Sequence, residues 1–95
     1  MSYNGWKNYE TWAVALWIDN EEGTYKYRQQ LAERAQLLAR NGEQTASVLL
    51  ADMLKDWICD SNPLADQASI YSDLLQASLE SVDWLEIAGN FLDEE

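Results

Sequence analysis

At 95 residues the chain has room for one domain, and a domain of that size folds alone with little margin. Its net charge of -11 and pI of about 4.1 argue against direct contact with DNA, RNA or an anionic membrane surface, because like charges repel, and favour basic partners or plain solubility. A single cysteine, Cys59, excludes an internal disulfide; the longest wholly apolar run, Trp12 to Ile18, is far short of a bilayer span; and polar and aromatic residues 1–10 carry no secretory pattern, so a reducing cytoplasm is the expected location.

Residues 1–7 read as an arm. Asn8 is a good N-cap, and Tyr9 to Asp19 reads as a short helix that is apolar nearly all round, the pattern of a helix central to a core or a dimer. Asn20 is the expected cap of a second helix with Glu21 and Glu22 in its first turn, although Gly23 weakens that turn and allows a start at Thr24. That helix runs to about Arg40 with Tyr27, Leu31, Ala35 and Leu38 on one face, and Asn41-Gly42 stops it. A third helix is expected from about Gln44 to Cys59, with Leu50, Leu54, Trp57 and Ile58 inward and Asp52, Lys55 and Asp56 outward. Asp60-Ser61-Asn62-Pro63 breaks it, and Pro63 can open a single helical turn. A fourth helix is predicted over about Asp66 to Leu79, burying Ile70, Tyr71, Leu74, Leu75 and Leu79. A fifth starts near Asp83, where Asp83 and Glu86 resemble a capping box, with Trp84, Ile87, Ala88, Phe91 and Leu92 apolar. No segment alternates with period two. The expected fold is all-α, a compact single-domain bundle of about five short helices spanning residues 1–95, with Trp12, Leu16, Leu31, Leu54, Trp57, Leu74 and Ile87 buried.

The catalytic inventory is poor. The chain has no histidine, which removes the usual general base and the commonest transition-metal ligand, and with them any Ser–His or Cys–His nucleophile. Cys59 lies between Asp56 and Asp60, and negative surroundings disfavour a thiolate. Asp19-Asn20-Glu21-Glu22-Gly23 looks like part of a calcium loop but fails its register, because Ile18 would fall at the first ligand position. No cofactor or metal site and no enzymatic activity are expected; an enzyme built on carboxylates and a divalent metal is the least favoured alternative.

Charge is divided unevenly. Residues 1–55 hold six bases and seven acids, a balance of -1, whereas residues 56–95 hold ten acids and no base, a balance of -10. Asp66, Asp73 and Glu80 repeat every seven residues and would share one face of a continuous helix. Joined by Asp56, Asp60, Asp83 and Glu86, they form a candidate partner-binding surface that could imitate a run of phosphates; the plainer alternative is a solvated outer face of the bundle. Aromatics cluster in the other half, at Tyr3, Trp6, Tyr9, Trp12, Trp17, Tyr25 and Tyr27. So short a domain can hardly bury them all, which points to a homodimer or partner interface for some.

Two stretches resemble a known family. Tyr3-Asn4-Gly5-Trp6-Lys7-Asn8-Tyr9-Glu10-Thr11-Trp12, continuing through Leu16-Trp17-Ile18-Asp19-Asn20, is similar to the opening of a family of small acidic proteins met in bacteriophages, plasmids, other mobile elements and some bacterial genomes. Tyr71-Ser72-Asp73-Leu74-Leu75 and Val82-Asp83-Trp84-Leu85-Glu86-Ile87-Ala88 resemble that family's ending. The family carries no assigned activity, so the resemblance transfers no catalytic residue. Its sources imply, by analogy, an inhibitor of host defence of the anti-CRISPR or anti-restriction type, some of which resemble DNA in charge. The expectation is therefore a non-enzymatic module docking on a basic surface of a host protein, without direct contact to nucleic acid or membrane. The alternative is an accessory or regulatory interaction protein with no inhibitory role.

Overall fold

Short polar side chains set where most of the helices begin. The computed structural model describes residues 5–42, 44–64 and 67–93, and five α-helices occur in it: α1 (Tyr9–Asn20), α2 (Glu22–Asn41), α3 (Ala46–Asp60), α4 (Ile70–Glu80) and α5 (Trp84–Asp93). No strand is present among the described residues. Asn8 caps α1 as expected, its Oδ1 accepting from the Thr11 N–H at 2.9 Å. Thr45 caps α3 through the Val48 N–H. Asp83 starts α5, accepting from the Glu86 N–H at 3.0 Å.

The α2 and α4 starts differ from expectation. Asn20 does not cap α2; it is the last residue of α1, and Glu21 alone joins the two helices. That tight junction is held by Thr24, whose hydroxyl reaches back to the Ile18 carbonyl at 2.7 Å. Helix α4 starts at Ile70 and not near Asp66, because Ser69 and Ser72 form a reciprocal capping box that outcompetes an earlier start. Asp66 itself lies outside the described residues. At Pro63 the chain turns, Asn62 Oδ1 accepting from the Leu64 N–H at 2.8 Å, and the residues that would complete a helical turn there lie outside the described residues.

Helix α3 is central and packs against both α2 and α5, while α1 covers α2 and α5 from the outside. Leu50 and Leu54 of α3 meet Ile87, Ala88 and Phe91 of α5 in the core, and Ala32 and Ala35 give α2 a small-residue face. Of the residues expected inside, Leu31, Leu54 and Ile87 are buried, whereas Trp12 and Trp57 are half-buried and Leu16 and Leu74 are exposed. The physical reason lies in α1, whose buried residues are the small or slim Thr11, Ala15 and Ile18. Of its indoles, Trp12 is half-buried and tilted against Tyr9 with ring centroids 5.6 Å apart, and Trp17 is exposed over 66% of its surface. On α2 the buried face is Arg28, Leu31, Ala32 and Ala35, which leaves Tyr27 and Leu38 exposed.

The buried Arg28 departs furthest from the sequence reading. It is 1% exposed. Its Nε donates to Asp19 Oδ1 at 2.9 Å, and its guanidinium carbon sits 4.0 Å from the Phe91 ring centre and 4.6 Å from that of Tyr25. Cation–π contact on two rings and an ion pair together offset the desolvation of the charge and tie α1, α2 and α5 together.

Candidate functional site

Asp66 lies outside the described residues, and the other six expected acidic residues separate into two groups. Asp83 and Glu86 are committed to the fold. Only half of their expected capping box forms: Asp83 accepts from the Glu86 N–H, but the Asp83 N–H donates to Thr11 Oγ1 at 2.9 Å rather than to Glu86. Glu86 Oε1 instead accepts from the Lys7 backbone N–H at 3.0 Å, and Lys7 Nζ lies 4.0 Å from Asp83 Oδ2. The Thr11 hydroxyl in turn donates a hydrogen bond to Asn8 Oδ1 at 2.6 Å, and Asn8 Nδ2 donates to the Ser81 carbonyl at 2.7 Å. The opening and closing motifs are thus clamped directly onto each other.

The second group faces solvent. Asp56 and Asp60 lie on α3, and Asp73 and Glu80 lie on α4, all exposed. Asp52, which sequence reasoning placed outside the apolar stripe but left out of the binding surface, precedes Asp56 by one turn and extends the α3 ridge. Helical spacing of about 100° per residue sets Asp73 and Glu80 on the side of α4 opposite half-buried Leu75. None of these five carboxylates has a cationic partner among the described residues, whose ion pairs are Lys7–Asp83, Lys26–Glu22 and Arg28–Asp19. Glu80 accepts only from Gln76 Nε2 at 3.2 Å. The carboxylates are dispersed, and no group of three or more His, Cys, Asp or Glu side chains suited to a metal ion occurs among the described residues.

Helix α4 also exposes apolar surface that periodicity assigned to the core. Ile70, Tyr71 and Leu74 of α4 are exposed, Tyr71 over 71% and Leu74 over 61% of their surfaces. Helix α4 makes only slight contact with the other helices and is seated through Leu79 and half-buried Leu75. A groove of about 210 Å³ runs between α4 and α1, with Leu75, Ser78 and Leu79 on one wall and Tyr9, Ala13 and Val14 on the other. A second, of about 290 Å³, separates α4 from Ile58 and the Asn62-Pro63 turn. Both are smaller than the roughly 300–1,000 Å³ of typical small-molecule sites, so they suit side chains better than a metabolite. No helix of the described residues is long and apolar enough to cross a membrane.

Fold and surface together define a small all-α bundle that exposes carboxylates on α3 and α4 and leaves the apolar Ile70, Tyr71 and Leu74 of α4 uncovered. The chain belongs to a family of unknown function, DUF7249, whose profile matches residues 1–88. Neither the curated proteins nor the solved structures contain a match to it.

Proposed function

We propose that the chain is a non-enzymatic protein-binding module that docks on a basic, nucleic-acid-binding surface of another protein. The observation that carries this reading is the set of five exposed carboxylates, Asp52, Asp56, Asp60, Asp73 and Glu80, left without cationic partners among the described residues. A charge of -10 confined to residues 56–95 creates a directional field, which orients approach to a basic cleft and raises the association rate. The resemblance of the opening and closing motifs to proteins of phages and mobile elements extends the proposal to an inhibitor of host defence, of the anti-CRISPR or anti-restriction type, acting as a nucleic-acid mimic in the cytoplasm. Asp83 and Glu86 drop out of the proposed surface because the fold uses them.

The test is competition. The tagged protein captures its partner from host extract, and the purified partner is then offered its nucleic acid with and without the protein. Mutually exclusive binding is expected. A stable ternary complex would favour the alternative, an accessory interaction protein that leaves the nucleic-acid site open.

A further inference from the structure

Passing around α4 at about 100° per residue, four strips follow one another. Leu75 and Leu79 face the bundle; Ser78 lines the α1 groove, with Tyr71 on the same strip of the helix; Leu74 and Ile70 are open apolar surface; Asp73 and Glu80 form the acidic edge. On the opposite wall, Tyr9 and Ala13 line the groove, and Trp17 continues their i, i+4, i+8 row beyond it. Glu10 also lines this groove and has no cationic partner among the described residues. Neither α1 nor α4 contains a single basic residue.

We infer that the α1–α4 groove and the open Leu74–Ile70 strip beside it together seat an amphipathic helical segment of a basic partner protein, its apolar residues covering Ser78, Leu74 and Ile70 and its lysines or arginines reaching Glu10 on the groove side and Asp73 and Glu80 beyond the apolar strip. This rests on the binding-module reading above and adds the anchor to it: the carboxylates steer, and the groove holds. Charge selects the occupant. A second copy of this chain on a two-fold axis would bring the same face against itself, placing Glu10, Asp73 and Glu80 near identical carboxylates with no cation on either helix, which disfavours the pairing. A helix with a basic flank meets apolar surface first and acid beyond it, the order that α4 presents. Helix-in-groove recognition needs only an apolar face and a groove of side-chain size, and both are present.

Three synthetic peptides of about 18 residues, five helical turns, test this: a Leu/Lys amphipathic helix, its Leu/Glu counterpart, and a Leu/Lys sequence of identical composition scrambled to destroy the apolar face. Binding to the full-length protein is measured by titration calorimetry and mapped by amide chemical shifts. The Leu/Lys helix should bind at least about tenfold more tightly than either control, with shifts at Ala13, Trp17, Leu74 and Ser78. Ser78→Arg, an exposed change to a better helix former, should leave the circular dichroism intact and weaken that binding by about tenfold or more. Equal binding of the scrambled peptide, with Ser78→Arg indifferent, would overturn the groove while leaving steering by the carboxylates standing. Equal binding of the Leu/Glu helix would overturn the basic partner. Self-association of the wild type that Ser78→Arg abolishes would make a second copy the occupant and overturn the inference.

Discussion

At the scale of single residues, the most recognisable parts of this chain hold the fold. Asn8 and Thr11 from the opening motif and Asp83 and Glu86 from the closing one form one hydrogen-bonded clamp across 72 to 79 positions of sequence. Thr11→Val keeps the size of the side chain but leaves the Asp83 N–H without its acceptor. It should destabilise the protein by about 1–3 kcal/mol in urea unfolding, with binding in the folded state unaffected. A loss below about 0.5 kcal/mol would show that the clamp is incidental. Asp19→Ala removes the carboxylate partner of the buried Arg28 guanidinium. The expected cost is about 1.5–3 kcal/mol, below the roughly 3–5 kcal/mol of a fully buried pair, because the Asp19 side chain is 39% exposed and water can partly replace it. Unchanged stability in that variant would mean that the other contacts of Arg28, the aromatic rings among them, sustain the cation.

At the scale of helices, caps and breaks were largely legible, and the choice of inward face was not. Asn8, Asp83 and the Asn41-Gly42 stop act where local chemistry places them, since a cap needs only its own first turn. The start of α4 lies at Ile70 and not near Asp66, and the mutual Ser69–Ser72 bonds that fix it are visible only once both side chains are in place. Periodicity identifies a helix but cannot say how many neighbours it has. Apolar residues from Ile70 to Leu79 cover about 180° of α4, more than one neighbouring surface can bury. That width was the available signal that part of α4 stays exposed. Arg28 was invisible for the opposite reason: a lone cation gives no local hint that Asp19, Tyr25 and Phe91 will enclose it. The shallow seating of α4 has a dynamic consequence. With two grooves flanking it, its amides should exchange in native-state hydrogen exchange at a clearly lower opening free energy than those of α3. Exchange of α4 only through global unfolding would show that it is integral to the core.

At the scale of the molecule, charge and apolar surface are separated from the core and lie side by side. The bundle uses α2, α3 and α5 for cohesion, and leaves much of α4 and the outer side of α1 uncovered. Charge segregation was readable from composition; its division into structural carboxylates, Asp83 and Glu86, and free ones required the fold. The measurement that bears most directly on the account is the association rate of the captured partner with wild-type protein and with a variant carrying Asp56→Asn, Asp60→Asn, Asp73→Asn and Glu80→Gln. All four sites are exposed, so each substitution should change stability by no more than about 0.5 kcal/mol. The account predicts that the variant stays folded, associates about tenfold or more slowly at low salt, and loses most of the wild type's salt dependence. Equal association rates and equal salt dependence for the two proteins would contradict it.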